Sequence, residues 1–193
     1  MTFSSKSYVK AIVDMFKSSE NPSNAIKMKA YMRNQFEFFG IGSPERKELY
    51  RYFIKEHGIP DIKHIPDLAL GLWDVPQREC QYFAMNIMDK RIKKADKHFI
   101  SLLEELITSK SWWDTIDFLA PNLVLVMFEK YPELIEPTIS KWMESGNIWL
   151  QRSCILWQLK KKKNTDLRLL YDLIDRLKDS DEFFIQKAIG WIL

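Results

Sequence analysis

Leu150-Gln151-Arg152-Ser153 and Ile185-Gln186-Lys187-Ala188 are two versions of one phrase: a side-chain acceptor, a cation, then an apolar stripe at helical spacing. Pro76-Gln77-Arg78-Glu79 and Pro44-Glu45-Arg46-Lys47 state it twice more, nearer the N-terminus. The four cations are separated by 32, 74 and 35 residues (46 to 78, 78 to 152, 152 to 187). The middle gap spans about two periods, and its midpoint falls on Trp113-Asp114-Thr115-Ile116-Asp117, where the cation has given way to a carboxylate.

A period of about 32–40 residues is what stacked helix pairs of the HEAT or armadillo kind produce, because no single pair can bury its own apolar face. The rest of the chain agrees. Only six glycines and eight prolines punctuate it, the apolar spacing is three and four, and no stretch alternates strictly. Tyr8 to Lys17 carries one stripe. Asn21-Pro22 opens a helix to Met32, and Ser43-Pro44-Glu45 caps another. Further helices cover Asp67 to Trp73 and Pro76 through Met88, and one capped by Asp96 runs through Ile107. Starts follow near Ser111, Pro132, Asn147, Thr165 and Asp181. Pro121 and Pro137 should stop or kink their helices. Loops are short, so consecutive helices are antiparallel neighbours. The expected fold is all-α, a right-handed superhelical solenoid of HEAT-like antiparallel helix pairs in one domain, 1–193.

In a helix Trp113 and Asp117 are i and i+4 and point off one face. Trp112 and Trp113 are about 100° apart, so only one can be core. Trp113 shares its face with Asp117 and Trp112 shares its face with Ile116, so Trp113 should face outward. Asp114, in the first turn, reads as a cap or dipole partner, whereas Asp117 reads as a mid-helix carboxylate with no such role. Trp149 precedes Arg152 by three residues and Lys187 precedes Trp191 by four, and all three pairs are expected on one groove. Cations near helix starts oppose the helix dipole. A polyanion such as a nucleic-acid backbone relieves both charges at once, which assigns Arg46, Arg78, Arg152 and Lys187 to one wall. The plainer alternative is pairing with neighbouring carboxylates such as Glu45 or Glu79. Lys160, first of the run Lys160 to Lys163, is either a solvated helix end or a phosphate contact.

The net charge of +3 permits an anionic partner without demanding one. Nothing approaches the roughly 18–20 apolar residues of a membrane span, and the first residues lack a signal-peptide core. Cys80 and Cys154 read as reduced, buried thiols, consistent with a monomeric cytoplasmic protein. His57, His64 and His98 lack metal-ligand spacing, and no phosphate loop or paired-cysteine motif exists, so neither metal nor cofactor is expected.

Ser111-Trp112-Trp113-Asp114-Thr115-Ile116-Asp117, Asn147-Ile148-Trp149-Leu150-Gln151-Arg152 and Phe183-Phe184-Ile185-Gln186-Lys187-Ala188-Ile189-Gly190-Trp191 closely resemble the AlkD-type DNA glycosylases. Tyr31-Met32-Arg33-Asn34-Gln35-Phe36 with Phe39-Gly40-Ile41 resembles the N-terminal motif of that family. The resemblance runs over essentially the whole chain. It implies excision of positively charged N3- and N7-alkylated purines from duplex DNA, without insertion of the base into a recognition pocket. By position it makes Asp117 the catalytic aspartate, Trp113 and Trp191 the aromatic residues at the lesion, Arg152 the groove arginine near the lesion phosphates, and Tyr31 a lesion-side contact. Family members usually continue past the Trp191 motif, whereas this sequence stops at Leu193, so the last helix is expected to be short and that end of the solenoid to lack its capping pair. The rival expectation is a non-catalytic HEAT-repeat scaffold binding DNA or protein, in which Trp113 would be an interface hot spot.

Overall fold

The computed structural model describes residues 3–193, and among them there is no strand, only an isolated bridge between Glu37 and Gln77. None of these helices is long and apolar enough to cross a membrane. The chain forms two compact units, one ending at Arg91 and one spanning Ile92–Leu193.

The first unit holds α1 (Ser5–Ser18), α2 (Pro22–Tyr31), α3 (Ser43–His57), α4 (Ile65–Asp74) and α5 (Arg78–Arg91). Asn21 caps α2 by accepting from the Asn24 amide at 3.1 Å, with Pro22 at the first helical position where its missing N–H is no loss. Phe16, Phe53 and Phe83 form the aromatic centre, Phe83 meeting the other two edge-on at 5.9 and 5.4 Å. The segment between α2 and α3 is held by one buried carboxylate. Glu79 accepts from the amides of Phe39, Gly40 and Ile41 at 2.9–3.1 Å. Gly40 has φ of +88°, and a Cβ there would lie 2.1 Å from the Asn21 carbonyl oxygen, so backbone packing requires glycine at this position.

The second unit holds α6 (Phe99–Thr108), α7 (Trp113–Phe118), α8 (Leu125–Lys130), α9 (Ile135–Glu144), α10 (Ile148–Leu156), α11 (Leu167–Leu177) and α12 (Phe183–Ile192). Helix α10 is its hub, packing against α6, α7, α9, α11 and α12. Pro121 does not stop the helical path: residues Leu119–Val124 form a π-helical turn that carries α7 into α8. Pro137 leaves α9 intact, because it falls in the first turn, where its missing donor has no intrahelical partner to lose.

One hydrogen bond recurs and fixes the repeat register. Gln81 Nε2 donates to the carbonyl of Trp73, eight residues back, at 3.1 Å, and also to Leu72 and Val75. Gln151 Nε2 does the same to Met143 at 3.1 Å, and Gln186 Nε2 to Lys178 and Ser180 at 2.9 and 2.8 Å. In each case a glutamine of the second helix satisfies carbonyls left over at the end of the first. The equivalent positions are therefore 81, 151 and 186, and the residues after them are Tyr82, Arg152 and Lys187. A period of 35 puts Asp117 midway between Tyr82 and Arg152, in the same series. Arg78 does not belong to it. The sequence alignment of Arg78 with Arg152 was one helical turn out of register.

Candidate active site

The site is built on α7, α10 and the start of α12. Trp112 precedes α7 in an extended conformation (φ −160°, ψ 161°), so the helix begins at Trp113, two residues later than the sequence implied. The 100° argument that separated the two tryptophans therefore does not apply, and both are half-buried. The Trp112 ring packs against Trp149 at 5.8 Å and Phe184 at 5.2 Å, and Trp149 meets Phe184 at 5.0 Å. This aromatic cluster clamps the three elements together. Trp113 and Asp117 share one face of α7, a turn apart, and Asp114 stands in the first turn.

Asp117 is not alone in mid-helix. It lies next to the last residue of the six-residue α7, and Arg152 grips it in a fork: Nε to Oδ1 at 2.9 Å and Nη2 to Oδ2 at 3.0 Å. The third guanidinium nitrogen, Nη1, donates to the Phe184 carbonyl. Arg152 is 3% exposed, while the Asp117 side chain remains 19% exposed. Burial pushes the Asp117 carboxyl above the ordinary aspartate range. The Arg152 charge and its hydrogen bonds oppose that, and Asp114 adds to it, leaving a net upward shift. A bidentate arginine occupies two of the roughly four lone-pair directions of a carboxylate. The exposed remainder of Asp117 can still accept from a water.

The other expected site residues are distributed as follows. Arg152, expected near phosphates, is turned inward with every guanidinium nitrogen on an internal acceptor. Arg78, expected on the same wall, is fully buried, its guanidinium 3.8 Å from the Phe36 ring centroid. Lys187 is exposed, with its ammonium 5.5 Å from the Phe183 ring. Trp191, 52% exposed, lines a surface cleft of about 430 Å³ with Phe183, Gln186, Lys187 and Gly190. Lys160 is exposed and donates to Asn122 Oδ1 in the π-helical turn. Arg46 lies 4.3 Å over the Tyr82 ring, and Tyr31 is 72% exposed. Phe184 was missed by sequence reasoning as a functional element; its signal was the aromatic pair Phe183-Phe184 one repeat after Trp149. Among the described residues no group of three histidines, cysteines or carboxylates is placed to hold a metal ion. Cys80 and Cys154 are free and buried, and burial pushes the Cys154 thiol up to about 12.

Comparison with known proteins bears on this arrangement. The family model described as DNA alkylation repair enzyme matches residues 12–193. A solved structure described as a predicted DNA alkylation repair enzyme from Enterococcus faecalis is similar, with 28% identity and a TM-score of 0.80. The match covers 90% of this chain and 81% of that one. The two share an all-α helical-repeat fold. No curated protein matches the sequence.

Proposed function

The chain belongs to the DNA alkylation repair enzyme family, and on that premise we propose that it is a monofunctional DNA glycosylase. Its substrates are positively charged N3- and N7-alkylated purines in duplex DNA, such as 3-methyladenine and 7-methylguanine. The observation that carries this reading is Asp117: a partly exposed carboxylate held in fixed geometry by a buried arginine, one turn from Trp113.

An alkylated purine already bears a positive charge, so the glycosidic electron pair leaves onto the base without a general acid. One carboxylate therefore suffices where most glycoside hydrolases need two. The sugar left behind has oxocarbenium character, and Asp117 stabilises it electrostatically at a position set before the reaction. Water adds at C1′ and loses its proton through Asp117 to solvent, giving an abasic site and a neutral free base. Trp113 and Trp191 offer π faces to the cationic sugar, worth about 0.5–2 kcal/mol each. Arg152 acts through Asp117 as a positioning residue that keeps the carboxylate ionised against its burial. Lys187, Lys160 and Arg46 supply backbone charge contacts, and Tyr31 touches the lesion side. The base stays outside any recognition pocket.

Base release from methylated duplex DNA tests the proposal. The chain should free 3-methyladenine and 7-methylguanine and leave uracil and hypoxanthine in place, because a neutral base is a poor leaving group without an acid. Efficient removal of uracil would overturn the mechanism. DNA binding with no base release would leave a non-catalytic helical scaffold.

A further inference from the structure

A cavity of about 710 Å³ lies wholly within the first unit and shares no lining residue with the site on α7, α10 and α12. Its size falls inside the roughly 300–1,000 Å³ range of small-ligand sites. One wall is a face of α1, where Lys6, Val9, Lys10 and Val13 recur at helical spacing. The other wall is α4 and the turn before it, with His64, Asp67 and Gly71. Two contacts fix how these walls are matched. The Phe3 ring lies 4.6 Å from the His64 ring, and a Cβ on Gly71 would come within 3.1 Å of a Val9 methyl. The walls therefore run in the same direction, and Lys6 stands level with Asp67. Both are exposed, and neither has an ion-pair partner among the described residues. Lys10 differs, since its ammonium is already paired with Asp14. Beyond the charged pair the lining turns apolar, with Val9 and Val13 half-buried.

Opposite charges on facing walls, with an apolar channel running on from them, match the parts of an amino acid with a large apolar side chain. Its carboxylate and ammonium sit on one carbon, so a single head group meets both walls at once. A simple anion would be repelled by Asp67, and a simple cation by Lys6. Helix α1 rises about 10 Å from Lys6 to Val13, enough to lay head group and side chain in line. We propose that this cavity binds a free amino acid with a large apolar side chain, its carboxylate on Lys6, its ammonium on Asp67 and its side chain over Val9 and Val13. The Phe3 and His64 rings close the charged end, so the side chain has one direction to take. None of these residues takes part in the chemistry at Asp117, and the site stands or falls without it.

Valine-methyl NMR on the full chain reads the cavity directly, with Val9 and Val13 as reporters. Free L-phenylalanine should shift both. Hydrocinnamate lacks the ammonium and phenethylamine lacks the carboxylate, and each should bind about three- to fivefold more weakly, the worth of one exposed ion pair. Glycine keeps the head group without the side chain and should bind at least about tenfold more weakly. Asp67→Asn should weaken L-phenylalanine to the level of hydrocinnamate without weakening hydrocinnamate itself. Lys6→Gln should weaken L-phenylalanine to the level of phenethylamine without weakening phenethylamine. Both positions are exposed, so neither change should disturb the fold. Valine methyls unmoved by L-phenylalanine overturn the proposal. So does hydrocinnamate or phenethylamine binding as tightly as L-phenylalanine, which would leave a site for a single charge. Variants that bind L-phenylalanine like the wild type overturn it as well.

Discussion

Replacing Arg152 by alanine separates the buried ion pair from the phosphate contact that the sequence suggested. The change deletes a two-point grip on Asp117 and a bond to the Phe184 carbonyl, leaving Asp117 half-buried without its cation. Removing one partner of a buried pair destabilises by about 3–5 kcal/mol. The Asp117 side chain is 19% exposed, so water offsets part of this and the lower end, about 3 kcal/mol, is expected. For a chain of this size each kcal/mol moves Tm by roughly 2–4 °C, giving about 6–12 °C. The defect should depend on pH with a definite sign. The folded-state pKa of Asp117 is already raised by burial, so its contribution to stability is present below the ordinary aspartate range and lost as pH rises through the folded value. Without Arg152 the pKa rises further, and the deficit should grow from pH 5 to pH 8. The acid limb of base excision should move to higher pH in parallel. Arg152→Lys keeps the charge but not the fork and should fall between. The slope of log K for DNA against log salt should not change. A variant that melts like the wild type while flattening that slope by about one unit would show Arg152 reaching a phosphate, and the inward-facing pair would be wrong.

Asp117→Asn should lower base excision by about 10²–10³-fold, the usual loss for one preorganised electrostatic partner, with duplex affinity held or raised in a filter or anisotropy assay. Lys187→Ala, at an exposed position, should flatten the salt slope by about 0.9, one phosphate's share, with Tm unchanged in a thermal melt. Gly40→Ala should destabilise by more than about 3 kcal/mol in urea unfolding, because the methyl would meet backbone atoms at 2.1 and 2.7 Å on a left-handed φ.

The helix content was legible from local chemistry: Asn21-Pro22 and Asn147 mark helix starts that the structure reproduces, through caps that accept from the amides of residues 24 and 149. Register was harder. Matching Gln77-Arg78 to Gln151-Arg152 places a cation four residues early, and the apolar pattern cannot object, since residues i and i+4 of a helix lie on one face. What distinguishes the correct glutamine is the carbonyl that it meets at the end of the preceding helix, a contact between elements that spacing alone does not contain. The extended backbone at Trp112 is similar. Its rotation off the helix is set by packing on Trp149 and Phe184, contributed from 35 or more residues away.

The ion pair itself follows from that register. In stacked repeats, equivalent residues of successive units are neighbours. Asp117, Arg152 and Lys187 occupy one position at a spacing of 35 residues. A ladder of cations would repel itself unless an anion lay against it. Putting a carboxylate at the rung before Arg152 instead sets opposite charges side by side, and the bidentate contact results. The sequence contained both the substitution and the period, but the expectation that every cation faced a polyanion assigned Arg152 and Asp117 to separate roles. One rung further on, the Lys187 ammonium lies against the Phe183 ring, with no carboxylate partner among the described residues, and it stands in the solvent. The same repeated position thus holds a buried, ion-paired arginine in one repeat and an exposed lysine in the next, and the difference is the residue one period upstream: Asp117 before Arg152, but Arg152 before Lys187.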